Sequence, residues 1–185
     1  MRTRKPDNNF YVLDSNLLGK YISAPDNGEA YDDILKIAHV SDFYIHYCNI
    51  NMRGGENEED GVDINDSSKI SFDNCNVKGG KKYAFTIKGG SNIIVLKDVV
   101  IHGKHRGDGV DIDIGNWSDS NTEKTTNVVL DNVTRADGRP VVVRVGRADP
   151  PIVKGGNVKI DRSKSFKLKL YWHLKRLLLK VGVTI

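Results

Sequence analysis

The pentapeptide Asp60-Gly61-Val62-Asp63-Ile64 returns unchanged 48 residues later as Asp108-Gly109-Val110-Asp111-Ile112. Looser relatives of it are Ala84-Phe85-Thr86-Ile87 and Val141-Val142-Val143-Arg144-Val145. A second strand-like run also recurs, at residues 45–50, 72–77, 96–101 and 130–134. A chain that repeats strand-sized motifs every few tens of residues is a stack of similar units, each burying its apolar face against the next.

Two apolar columns follow from this repetition. One is expected to run Ile37, Ile64, Ile87, Ile112; the other runs Ile45, Phe72, Leu96, Leu130, Ile160, at spacings of 27, 24, 34 and 30 residues. Within each run apolar and polar residues alternate, the mark of strands with one buried face. The longer spacings contain insertions at 115–127 and 147–156, and loops inserted at one edge of a solenoid commonly line its binding face. The expectation is an all-β fold, a single-stranded right-handed parallel β-helix of five or six coils over residues 34–165. Residues 1–33 read as an N-terminal cap or atypical first coil, and 166–185 as a basic C-terminal cap. A β-sandwich fits less well, because its strands do not repeat their sequence in register. On the outer face, Lys36, Asp63, Thr86, Asp111 and Arg144 are expected to form a polar ladder.

The 185 residues suffice for one domain with a real core. The net charge of +4 is unevenly placed: residues 157–185 carry +7 and the remainder −3. Basicity therefore belongs to the tail, and specific nucleic-acid binding is not implied. In that tail 166–170 alternates like a strand and 171–181 reads as an amphipathic helix, with Leu170, Leu174, Leu177, Leu178 and Val181 on one face. It reads as a cap over the solenoid's open end, or as a surface for a protein partner or for self-association. The start of the chain lacks the apolar core of a signal peptide, and no run reaches the length of a transmembrane segment. Synthesis in a cytoplasm is expected. Cys48 and Cys75 fall at matching places in two successive repeats, where they read as stacked small core side chains or, in an oxidising compartment, a disulfide.

Residues 59–112 resemble polygalacturonases, pectin-cleaving glycoside hydrolases of the pectin-lyase-like β-helix superfamily. The resemblance rests on Glu59-Asp60-Gly61-Val62-Asp63-Ile64, the polar turn after it, and Asp73-Asn74-Cys75-Asn76-Val77. It implies a parallel β-helix and places the family's first catalytic aspartate at Asp60. The family's Asp-Asp pair falls at Lys81-Lys82, its Gly-His-Gly near Gly103-Lys104-His105-Arg106-Gly107, and its Arg-Ile-Lys at Arg144-Val145-Gly146-Arg147. One acid stands where the family uses three. The implied function is a non-catalytic structural or carbohydrate-recognition module. Short β-helices of this kind are similar to those of phage and virus particles, so incorporation into a virion is the destination the analogy suggests.

The alternative is a small glycoside hydrolase or lyase. Asp60 and Asp108, two coils apart at ~4.8 Å per rung, would approach the ~6.5–9.5 Å spacing of inverting carboxylates. His102 or His105 would assist with proton transfer. The simpler reading of both aspartates is as Asp-Gly turn residues. Trp117, in the inserted loop, offers a ring on which a sugar could stack, with Asp63, Asp111 and Arg144 for its hydroxyls; the alternative is that Trp117 anchors its own loop. The acidic stretch Glu56 to Asp66 matches no cation loop, and no His/Cys set has zinc spacing, so neither metal nor cofactor is expected.

Overall fold

The computed structural model describes residues 10–13, 16–19, 35–52, 60–78, 82–103, 109–116 and 123–161. The chain runs through β1 (Phe10–Leu13), β2 (Asn16–Gly19) and β3 (Leu35–Ala38), then β4 (Ser41–His46), β5 (Asn49–Met52) and β6 (Val62–Asn65). It continues through β7 (Ser68–Asp73), β8 (Asn76–Lys78) and β9 (Phe85–Lys88), and through β10 (Asn92–Lys97), β11 (Val100–His102) and β12 (Ile112–Asn116). The last strands are β13 (Thr126–Asp131), β14 (Thr134–Arg135), β15 (Val141–Val145), β16 (Ile152–Lys154) and β17 (Val158–Asp161).

Each of the first five coils gives one strand to each of three sheets, the last gives β16 and β17 to two of them, and all pairings are parallel. Sheet A is β1-β4-β7-β10-β13-β16, sheet B is β2-β5-β8-β11-β14, and sheet C is β3-β6-β9-β12-β15-β17. The described residues form an all-β parallel solenoid with no helix, and none of them belongs to a helix long and apolar enough to cross a membrane. The expectations for 1–9, for 20–34 and for the tail from 162 onward lie outside the described residues.

Inward side chains stack into columns. In sheet A, Ile45, Phe72 and Leu96 are level with Leu130, and all four are fully buried. Burying each such side chain contributes about 1.5–3 kcal/mol. Val153, not Ile160, continues this column, because Leu130 pairs with Val153 while Ile160 lies in sheet C opposite Val143.

The repeated pentapeptide corrects a second expectation. Val62 and Ile112 are both level with Phe85, and Asp63 and Asp113 are both level with Thr86. The two copies are therefore stacked two residues out of step. The apolar column runs Ile37, Ile64, Ile87, Ile114, and the outer ladder is Lys36, Asp63, Thr86, Asp113, Arg144, Asp161. Asp113 takes the place expected for Asp111. A two-residue slip keeps every side chain on its face, so alternation alone does not fix the register. The second copy is continued by Asp113-Ile114, and the slipped register buries Val110, Ile112 and Ile114 completely. A matched register would set Ile114 level with Asp66, a left-handed turn residue.

The turns are built as regularly as the strands. Among the described residues, every non-glycine residue with positive φ falls into one of three columns: His39 and Asp66; Asp42, Lys69, Ile93 and Asn127; and Tyr47, Asn74, Asp98 and Asn132. The last column makes the two-residue turn from sheet A to sheet B. Its second position is filled by Cys48, Cys75, Val99 and Val133, all buried. Both cysteines are free. At the corner from sheet C to sheet A, the Ser67 hydroxyl donates to the Asn65 carbonyl at 2.9 Å and accepts from the Val40 amide, while Ser91 Oγ donates to the Lys88 carbonyl at 2.6 Å. The two sequence insertions open from this corner, and they meet where Thr125 bridges Ala148. Gly115 sits there with φ 72°, and a Cβ on it would lie 2.5 Å from the Arg147 backbone.

Candidate functional site

The third corner, from sheet B to sheet C, gathers the charged groups. Sheet B carries the inward column Ile50, Val77, Ile101, and the next place in it is taken by Arg135. The first three are fully buried and Arg135 is 8% exposed. A guanidinium in that place must have its donors matched. One amino group donates to Asp111 and the other to the Gly103 carbonyl. The Nε and an amino group donate to the two oxygens of Asp137 at 3.0 and 2.9 Å. Asp111 also accepts the Val142 amide at 2.8 Å, which fixes the entry to β15.

Asp137 is clamped from the other side by Arg139, whose Nε and amino group donate at 3.0 and 2.6 Å. Its bonds from Arg135 and then from Arg139 hold its carboxyl well below the usual carboxylate range. The Asp137 bond and the charges of both aspartates raise Arg135 above the ordinary arginine value, against the effect of burial. Beside this clamp lies a pocket of about 340 Å³ lined by Gly109, Asp111, Arg135, Arg139, Pro140, Val142 and Lys159. Lys159 reaches it from β17, level with Val142.

The outer face of sheet C adjoins the pocket. Asp63 lies 3.2 Å from Lys36 Nζ and 3.1 Å from Lys88 Nζ, one coil to either side. Asp113 receives Arg144 through two bonds of 2.9 and 2.6 Å. Arg144 also donates to the Tyr83 hydroxyl and lies over its ring, 5.0 Å from the centroid. Burial alone would lower Arg144, but its bonds to Asp113 and Tyr83 raise it overall. The long side chains lie against the short ones, and Asp63, Thr86 and Asp113 are each only 1% exposed.

Of the residues singled out in the sequence, Asp63 and Arg144 share this outer ladder and Asp111 stands in the pocket wall. Asp60 is buried at 4% exposure, two residues ahead of β6. The residue two before Ile112 is Val110, so the register does not set Asp60 and Asp108 at equivalent places. Asp108, His105 and Trp117 lie outside the described residues. Arg135, Asp137, Arg139 and Lys159 were not anticipated. The available signal was a charge falling at the next place in the Ile50-Val77-Ile101 column. Among the described residues no group of three or more His, Cys, Asp or Glu side chains is placed to hold a metal.

Three parallel sheets wound into one solenoid define the class: a parallel β-helix. Over 81 residues, 43% of this chain, it is 30% identical to a probable pectate lyase C of Emericella nidulans. The chain spans about a fifth of that relative's length, 19%. That match and the winding together are consistent with a pectin-lyase-like β-helix. No family model matches the chain, and no solved structure matches it.

Proposed function

We propose that the chain is a carbohydrate-recognition β-helix whose ligand is an acidic polysaccharide, held at the pocket beside Arg135. The observation that carries this reading is the pocket's lining: three cationic side chains, Arg135, Arg139 and Lys159, against one carboxylate, Asp111, which is itself bonded to Arg135 and the Val142 amide. Guanidinium groups match the planar, two-oxygen geometry of a uronate carboxylate. Arg135 is fixed by its anchors; Arg139, at 57% side-chain exposure and sharing Asp137 with it, and the exposed Lys159 on β17 are the groups that reach a ligand. The partial likeness to a protein named as a probable pectate lyase points to the same ligand chemistry.

Recognition is favoured over cleavage by the state of the carboxylates. Asp63 and Asp113 are the pair that stands two rungs apart in register, but at 1% exposure each they are out of a polysaccharide's reach. Asp137 is exposed but held ionised by two arginines, whereas a general acid must carry its proton near working pH. On the resemblance to polygalacturonases, the place of their Asp-Asp pair falls at Lys81-Lys82.

Titration calorimetry with polygalacturonate and a neutral galactan tests the reading. The polyuronate is expected to bind, with affinity falling as salt rises. The double variant Arg139→Ala/Lys159→Ala is expected to lose about tenfold or more, in line with charged bonds of ~1.5–3 kcal/mol. Equal affinity for the neutral glycan, or an unaffected double variant, removes the pocket from consideration. Release of reducing or unsaturated ends by the wild-type chain, abolished by Asp60→Asn, would establish the hydrolase or lyase reading instead.

A further inference from the structure

The chain has two cysteines, both in the second position of the turn from sheet A to sheet B. The register around them is set on both flanks: His46 is level with Asp73 before them, and Asn49 with Asn76 after them. Cys48 and Cys75 are therefore level in adjacent coils, and adjacent strands put their Cα atoms ~4.8 Å apart. That lies inside the 4.4–6.8 Å range that a disulfide spans. Both side chains point inward, each 1% exposed. Cys75 Sγ already contacts the coil of Cys48, lying 3.6 Å from the Ile45 carbonyl as well as 3.4 Å from that of Asp73. Cys48 Sγ lies 3.1 Å from the His46 carbonyl. Packing does not call for cysteine here, because Val99 and Val133 fill the same position in the next two coils, fully buried.

We infer that Cys48 and Cys75 form a site of oxidative modification, a cross-coil disulfide that closes one full coil into a covalent ring. The ring would run from Cys48 through β5, β6 and β7 to Cys75 and would include Asp60. In a solenoid each coil is held only by its neighbours, so an end coil frays more readily than a central one. A covalent ring ties this coil, which lies toward the N-terminal end, to the next.

The chemistry balances with a small disulfide such as oxidised glutathione as the oxidant. One cysteine thiolate attacks it, forming a mixed disulfide and releasing one glutathione thiolate. The second cysteine thiolate then displaces the other glutathione, so two thiols lose two protons and two electrons and the oxidant becomes two thiols. Burial pushes the Cys75 thiol up to about 11, so in the closed coil attack is slow and the bond forms during folding or on local opening.

The test refolds the full chain in a reduced/oxidised glutathione buffer and compares it with the chain kept in excess reductant. The expected product is a monomer about 2 Da lighter by the loss of two hydrogens, with no thiol titratable after denaturation. Its thermal midpoint is expected to exceed that of the reduced form by roughly 5–10 °C. Cys75→Val, which installs the side chain used in the next coils, should fold and show no such redox-dependent shift. The inference is overturned by two titratable thiols after refolding in excess oxidised glutathione, by glutathione adducts or intermolecular dimers alone, or by a disulfide that leaves the midpoint unchanged or lowers it. None of these outcomes depends on glycan binding.

Discussion

Arg135 occupies a place that its sheet otherwise gives to leucine, isoleucine and valine, so its charge is stable there only because Asp111, Asp137 and the Gly103 carbonyl surround it. Arg135→Met keeps the apolar volume but leaves Asp111, at 2% exposure, without the cation it faces. The expected loss is about 3–5 kcal/mol by chemical denaturation. A second change, Asp111→Asn, should restore part of it, whereas two independent sites would add. Asp137, on the solvent side of the same arginine, gives a pH signature. Its folded value is depressed by Arg135 and Arg139, so its stabilisation is fully present above its unfolded value of about 4 and is lost as pH falls through the depressed folded value. The midpoint difference between wild type and Asp137→Asn should hold steady from pH 7 to about 5 and shrink below about 4. A difference that grows on acidification would contradict the clamp.

At the scale of strands and turns, the left-handed columns show what the sequence discloses and what it conceals. Asn74, Asp98 and Asn132 suit positive φ, since short polar side chains tolerate that conformation, but Tyr47 takes the same place with φ 54° and 62% exposure. Tyr47→Asn should therefore stabilise the chain by about 0.5–1 kcal/mol, read as a higher denaturation midpoint. No change, or a loss, would show that the ring has contacts outweighing the strain. The central strands of sheet A, β4, β7, β10 and β13, are legible because six residues suffice to display alternation. Those of sheet B are not, with β8 and β11 at three residues and β14 at two. Hence the Ile50-Val77-Ile101-Arg135 column does not emerge from alternation within its strands; only its spacing, which repeats that of Ile45-Phe72-Leu96-Leu130, marks Arg135 as a charge at an apolar place. The pentapeptide was legible as a strand but not in register, because a two-residue slip leaves every face unchanged and only the burial of Ile114 decides between the two phases.

The described residues form a line of coils around one apolar axis, and stability depends on position along that line. Phe72 sits in the fully buried stretch of the sheet A column and crosses the interior to Phe85 of sheet C, edge to face with ring centroids 5.3 Å apart. Val153 continues the same column three coils on, yet it is 41% exposed, and its neighbour Ile152 is 52% exposed. Sequence periodicity ranks such positions alike; their places along the described stack separate them. Phe72→Ala opens a cavity that coils on both sides must absorb and should cost about 3–5 kcal/mol. Val153→Ala removes atoms already facing solvent and should cost no more than about 0.5 kcal/mol. Amide exchange adds a spatial readout. Because each coil is coupled mainly to its neighbours, Phe72→Ala should raise exchange most in β4, β7 and β10, with smaller changes in β16. Uniform loss of protection along the stack would mean that the coils unfold as one cooperative unit rather than as a nearest-neighbour array.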